Sequence, residues 1–547
     1  MASLAVLATV CWIFDDDTAL AVHSVGGGLL VNSDSLLPAA LSWDVATHAY
    51  AWRGFQLPRV PSLMPDLVVS GGIQLATGSW RVAYLAYAVL LFGALAASAG
   101  AIINSALRCG IATGALCFLA VAIPVLVFGL ASPTLSLWHN NLFGLATHGG
   151  QFCVSVAGLY LVWRLCSRRG TLDFVLAFLV GALLVQSDRL SCATFIAPAV
   201  VGVAYARWRD VLGWRASGLV LLTVVAAGIV GWRLPVGLER QADATIDWNG
   251  IGMHLVRFAF ELRNLATQEP LPVLLIVAAP LLGGLVLRPP LRSSANAGSD
   301  MHRSATGFWW IVAVTAMATD VVATAMLYID PPSFRYAGAS FWWPVILTGM
   351  ALARLLGRNA ARVAVATVGA MTATLMVSYA WSGLHPPRIL TWRNPLGACL
   401  LRASASHGLK AGLAGYWPAR LIAAGTDWQL QVDQVTPDGQ AYYWGNDRYW
   451  FVHDVHDGRA PPPYNFIVMN GLDEPVIRLR YGPPDRTIDC GGTPIWVYDD
   501  ADRLRRVLAQ YSGGLFAGLL RDGRPLCAPV AAIAPLGADG ERTAPCP

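Results

Sequence analysis

The sequence predicts a mostly α-helical, polytopic membrane body followed by a smaller water-exposed domain, and three observations carry that prediction. Hydrophobic residues make up 55% of the 547, with a mean hydropathy of +0.51. Charged residues are only 13%, about half of the ~25% usual in soluble domains. The charge is also unevenly placed: residues 1–384 carry 39 charged residues, and the much shorter 385–547 carries 32. A disordered chain, a nucleic-acid-binding tail and an ordinary cytosolic enzyme are excluded by this composition. The expected domains are therefore a transmembrane body, 1–384, and an extracytoplasmic α/β or β-rich domain, 385–547.

Taken in order, the N-terminus offers two short apolar stretches, Ala2–Phe14 and Thr18–Val31, separated by Asp15–Asp17. They read as one poorly defined first span, since no basic segment marks a signal peptide. A long loop, 32–80, follows. Apolar runs then recur at Val82–Ile103, Cys109–Leu130, Gln151–Trp163, Leu172–Val185, Ser191–Ala206, Gly218–Leu234, Leu271–Leu287, Phe308–Ile329, Phe341–Leu355 and Val363–Trp381. A span needs roughly 20 residues, so the shorter runs must extend into their flanks, and the total is about eleven spans.

The connections alternate in charge. One set holds 13 Arg and three acids; the other holds nine Arg and thirteen acids, with Asp320 left inside a span. Arginine-rich short loops stay cytoplasmic. The expectation is a plasma (inner) membrane protein with Asn32–Trp80, Ser132–Gly150, Ser187–Arg189, Pro235–Pro270, Asp330–Ser340 and the tail on the periplasmic or extracellular side. The net charge of +5 lies wholly in the body, so it is a topology signal and implies no acidic partner.

In the tail, Trp428–Val435, Tyr442–Val452, Tyr464–Met469, Val476–Tyr481 and Pro494–Tyr498 read as strands, and Asp499–Tyr511 as a short amphipathic helix. Cys109, Cys117, Cys153, Cys166 and Cys192 fall in or beside spans, where a thiol acts as a small buried hydrophobe. Cys399, Cys490, Cys527 and Cys546 fall on the oxidising side; of their three pairings, Cys490 with Cys527 is the one expected. No Cys/His spacing suggests zinc.

Chemistry-bearing residues concentrate in the outer loops. In the first, Leu36, Leu37, Ala40 and Leu41 fit one face of a short surface helix capped by Ser33 or Asp34. Asp34 and Asp44, nearly three turns apart, project to one side; they are either a cap and a solvated charge or a general base and its neighbour. Asp66 after Pro65 reads as an N-cap. Trp138-His139-Asn140-Asn141 reads as an interfacial loop or the lining of a sugar site. Asp188-Arg189 reads as an ion pair, a cap or a pocket wall. Asp320, roughly mid-span, is either functional or hydrogen-bonded to a neighbouring helix. Asp15–Asp17 reads as a charged break at the interface, and His453–Asp457 as a solvated loop. Trp80, Trp138, Trp232, Trp309, Trp310, Trp342, Trp343 and Trp381 form an aromatic belt near span ends. The tail's dense aromatics, Tyr416 to Trp450, are a core, a seat on the membrane or a glycan-contacting surface.

An acidic residue just after the first span, Asp34, opens a loop with a surface helix. A multi-pass body follows, carrying Phe334-Arg335-Tyr336 and then Pro344 at the head of the next span. Over residues 1–384 this order resembles the GT-C class of membrane glycosyltransferases, which use polyprenyl-phosphate sugars. The resemblance implies that Asp34, with Asp44 second, is the catalytic carboxylate. It also implies that Arg335 holds the lipid phosphate, for which a guanidinium fork is suited, with Tyr336 beside it. His139, Asn140, Asp188 and Arg189 would line the substrate site. Neither Asp34 nor Asp44 sits in a compact Asp-x-Asp pair, so a divalent cation stays open and no cofactor is assigned. The implied partners are a polyprenyl-phosphate-linked sugar donor, a glycan, lipid or protein acceptor, and the bilayer, with no nucleic acid. Two other readings are a transporter or lipid-linked-glycan flippase, resting on Asp320, and a membrane-anchored glycan- or protein-binding scaffold, resting on the tail.

Overall fold

The computed structural model describes residues 1–20, 28, 30–47, 54–130, 136–235, 249–268, 270–286, 297–326, 336–383, 385–452, 454 and 461–512. Each of the ten apolar runs after the first loop is helical over most of its length. Among the described residues, five helical stretches are long and apolar enough to cross a membrane: Trp80–Leu107, Ile111–Gly129, Trp214–Arg233, Ser304–Met326 and Gly338–Trp381. The last is two helices, Gly338–Leu356 and Ala360–Trp381, joined by a 3-10 turn. Ala2–Ile13, Thr171–Ser187, Cys192–Trp208 and Val273–Leu285 are apolar but shorter. The chain is thus a mostly helical membrane protein with a small C-terminal sheet.

Local chemistry sets the boundaries. Ser79 accepts from the Val82 amide to open the Trp80–Leu107 helix, and Arg108, in the left-handed region at φ 53°, ends it. That helix meets the next one backbone to backbone. A Cβ on Gly100 would lie 2.6 Å from the Ile111 carbonyl oxygen, and one on Gly114 would lie 2.7 Å from that of Gly100. Small residues at such crossings let membrane helices approach closely. The body core also takes in Trp309, Trp342 and Trp343, all fully buried, with the Trp342 ring 6.4 Å from Phe118 and Trp309 6.2 Å from Trp163. These three leave the expected aromatic belt because each lies inside a packed helix pair, whereas Trp381 is 91% exposed.

The tail is an α/β domain whose five strands run β1 Ala411–Gly415, β2 Gln431–Val435, β3 Tyr464–Val468, β4 Arg486–Asp489 and β5 Pro494–Val497. Their order is β2-β1-β3-β5-β4, the first three parallel and the last two antiparallel to their neighbours. Helices Pro395–His407 and Tyr416–Gly425 cover one face through Leu400, Ile422, Phe466 and Val497. Helices Glu474–Tyr481 and Ala501–Tyr511 cover the other through Ile477, Leu504, Leu508 and Ile467. β1 escapes the sequence pattern because a strand buried on both faces shows no alternation. Two expected strands are corrected. Glu474–Tyr481 is a helix, capped by Asp473 on the Val476 amide, with Pro475 pre-setting its first turn. Within 442–452 the regular piece is a 3-10 turn, Arg448–Phe451. The disulfide joins Cys399 to Cys490, not Cys490 to Cys527: the Pro395–His407 helix packs over the end of β4 and presents Cys399 there, and Cys527 lies outside the described residues.

The first loop is the mortar between body and tail. Its helix, Leu37–Thr47, buries Leu37, Ala39, Ala40 and Asp44. The Gln56 amide donates to the Asn446 carbonyl at 3.0 Å and the Arg448 amide to that of Gly54 at 3.2 Å. Trp43 stacks on Trp428 at 4.9 Å. Arg81, at the head of the Trp80–Leu107 helix, pairs with Asp427 and donates to the Trp392 carbonyl. Asp15 and Asp17 also act as ties, to His385 and Arg388 of the segment leading into the tail.

Candidate functional site

The two first-loop aspartates singled out by spacing do project to one side, and that side is the tail. Asp34 accepts from the Tyr416 hydroxyl, while Ser33 donates to the Trp417 carbonyl at 2.6 Å. Asn32 and Ser35 close the turn before the helix through reciprocal bonds of 2.9 and 3.0 Å. Asp44, fully buried, accepts from the Trp450 indole N–H at 2.9 Å. It faces Asp447, also fully buried, whose carboxyl is held well above the usual range by burial and then by the Asp44 charge. Both aspartates fasten the joint.

A third first-loop carboxylate reaches elsewhere. Asp66, expected as a helix cap, makes its bonds to other elements: Tyr87 of the Trp80–Leu107 helix donates to Oδ1, and the Ala146 amide donates to Oδ2 at 2.9 Å. The loop turns inward here because Ser187 holds it, its hydroxyl bonded to both the amide (2.7 Å) and the carbonyl (3.0 Å) of Met64. Burial pushes the Asp66 carboxyl up to about 6, against the two hydrogen bonds that lower it. Gly150 makes the approach possible, since a Cβ there would collide with Asp66 Oδ1 and the Tyr87 hydroxyl.

Around Asp66 the ends of several helices converge. His148 opens the Gly149–Ser167 helix from a left-handed conformation, φ 79°, which is costly for a residue with a Cβ. Its Nδ1 is hydrogen-bonded to Asp188 Oδ2, and Asp188 Oδ1 accepts from the Leu190 amide at 2.9 Å. Asp188 therefore pairs with a histidine and not with its neighbour Arg189, whose guanidinium lies 4.0 Å over Trp232. The Tyr336 ring packs edge-on against His148 at 4.8 Å. Gln151, one turn on, donates to Ser191 and Thr194, each at 2.7 Å.

Asp320 joins this buried cluster. It lies on the helix described over Ala297–Met326, within the apolar stretch Ser304–Met326. Its Oδ2 accepts from the Ser340 amide at 2.9 Å and hydroxyl at 3.0 Å, at the N-terminus of the Gly338–Leu356 helix, where negative charge is favoured. Oδ1 is buried without a hydrogen-bond partner among the described residues. Asp66 and Asp320 both lie within electrostatic range of His148. Ser340 also lines a cavity of about 460 Å³ whose other walls, including Phe258, Ile276, Pro280, Met317 and Phe341, are apolar.

His139 is buried on the Ser136–Phe143 helix; the Asn140 side chain, Arg335 and all of 453–457 except Asp454 lie outside the described residues. Among the described residues, no three His, Cys, Asp or Glu side chains are placed to hold a metal ion. From the sequence Asp66 reads only as a cap, and His148 and Gln151 are not singled out at all. The available signal was His148-Gly-Gly-Gln151, a histidine followed by two residues without side chains at the start of a helix. Comparison with protein-family models and with curated proteins finds no match to this chain.

Proposed function

We propose that the chain is a GT-C-type membrane glycosyltransferase, moving a sugar from a polyprenyl-phosphate donor to a glycan, lipid or protein acceptor at the outer face of the plasma (inner) membrane. In this reading the shorter apolar helices also cross, giving about eleven spans, and the tail lies outside. The Cys399–Cys490 disulfide supports that side, because such bonds persist in oxidising compartments.

The observation that carries the reading is the junction at Ser340. On one side is a cluster of three carboxylates, a histidine and a tyrosine drawn from the first loop, three later connections and the Ala297–Met326 helix. On the other is an apolar cavity between helices. A polyprenyl-phosphate sugar has this same division, an apolar chain ending in a charged, hydroxylated head. Asp66 takes over from Asp34 as the first-loop carboxylate of the site, and Arg335, next to Tyr336, supplies the cation for the departing phosphate. In a strain lacking the protein, mass spectrometry of lipid-linked sugars and envelope glycans should show an accumulated donor and a missing glycan residue. Unchanged lipid and glycan profiles would overturn the assignment.

A further inference from the structure

We propose that His148 is the base of this transfer, with Asp188 as its positioning residue; the inference rests on the sugar-transfer reading above. Asp188 accepts at His148 Nδ1 and is itself pinned by the Leu190 amide, so the imidazole is held in the tautomer that leaves a lone pair on Nε2. Among the described residues the ring makes no other hydrogen bond. Of the neighbouring carboxylates Asp66 is fully engaged, while Asp320 keeps one oxygen, Oδ1, without a hydrogen-bond partner among the described residues. Both Asp66 oxygens accept bonds, from Tyr87 and Ala146, and Asp320 anchors the head of the Gly338–Leu356 helix through Ser340. Asp188, Asp66 and Asp320 come from three separate elements and share one task here, stabilising the imidazolium that forms. Tyr336 fixes the ring edge-on, and the left-handed backbone at His148 is the strain expected where a side chain is aimed for chemistry.

In the proposed step the acceptor hydroxyl gives its proton to Nε2 as its oxygen bonds to the anomeric carbon. The bond from that carbon to the phosphate oxygen breaks, and its electron pair leaves with the lipid phosphate. The imidazolium then releases its proton to water.

The test uses isolated membranes of the deletion strain, whose own accumulated lipid-linked sugar is the donor, supplemented with purified full-length protein. H148A, folded as judged by its thermal unfolding, should lower the rate of donor consumption by about 10²- to 10⁴-fold. Free imidazole should restore part of it. D188N should also be slow but should not respond to imidazole, because its histidine still fills the site. Activity of H148A within about threefold of wild type, or loss without imidazole rescue while D320N alone removes the acid limb of the pH profile, would assign the base elsewhere. Should neither H148A nor H148Q fold, diethyl pyrocarbonate on the unaltered protein decides. Inactivation must track carbethoxylation of His148 and reverse with hydroxylamine; tracking another residue overturns the proposal. A wild-type protein that consumes no donor overturns the sugar-transfer reading itself, an outcome distinct from all of these.

Discussion

Replacing Gly150 by alanine tests the packing around Asp66 with one methyl group. The added carbon would run into Asp66 Oδ1 and the Tyr87 hydroxyl and would lie 2.8 Å from Pro65 Cγ. These groups belong to two elements already tied together, so none can retreat freely: Pro65 and Asp66 follow the Met64–Ser187 clamp, and Tyr87 sits inside a 28-residue helix. Overpacking of this kind costs about 1–3 kcal/mol. Displacing Asp66 from Tyr87 or Ala146 adds about 1–3 kcal/mol for a buried polar group left unpaired. The expected loss is therefore about 2–6 kcal/mol, together with loss of transfer activity. On Gly93 of the Trp80–Leu107 helix an added Cβ would meet nothing within 4 Å, so G93A is the control and should change stability by less than about 1 kcal/mol. The assay is thermal unfolding of the full-length protein in detergent, followed by tryptophan fluorescence, with donor consumption measured on the same samples. Equal behaviour of G150A and G93A would refute the placement of Asp66 against the Gly149–Ser167 helix.

Other expectations follow from the tail and its joint. Asp433 of β2 is fully buried, and burial raises its carboxyl to about 7 despite bonds from Tyr464 (2.6 Å) and Gln431 (2.7 Å). A raised carboxyl favours the folded state when protonated, so this contribution is complete below about pH 4 and is lost as pH rises to about 7. At 1.36 kcal/mol per pH unit it reaches at most about 4 kcal/mol. D433N should flatten that stretch of the unfolding–pH curve, and an unchanged slope would contradict it. C399S or C490S should destabilise the tail by about 2–5 kcal/mol, and non-reducing peptide mapping should show the 399–490 pair in wild type. Arg420, buried, donates to the carbonyls of Ser33 and Gly445. R420M should cost about 1–3 kcal/mol for each carbonyl left without a donor and should speed proteolysis of the first loop.

What could be read from sequence was what periodicity and composition encode. Helices such as Trp80–Leu107 and Ala360–Trp381 were visible within a few residues, because a lipid-spanning segment is marked by its own apolar length. β3 and β5 were visible as short apolar runs, whereas β1 was not, since Ala411–Gly415 is small and buried on both faces. Glu474–Tyr481 misled because Val476, Arg478 and Arg480 alternate like a strand, while the signal for a helix was a local one, Asp473 before Pro475. The site was legible only as a set of loops. Spacing drew attention to Asp34 and Asp44, whose partners Tyr416, Trp450 and Asp447 lie hundreds of residues away in the tail. Asp66 looked like a cap because nothing local reveals that Gly150 clears a path to it. The Asp188–His148 pair is equally non-local, forty residues apart across two helix ends.

The proposed activity is the transfer of a sugar from a lipid phosphate at the Asp66–His148–Asp320 cluster. Its most direct test is the stoichiometry of that transfer in deletion-strain membranes given the purified full-length protein. Each donor molecule consumed should yield one free polyprenyl phosphate and one glycosylated acceptor, and D66N should yield neither. Donor that is moved across the bilayer or left untouched, with no polyprenyl phosphate released, would contradict it.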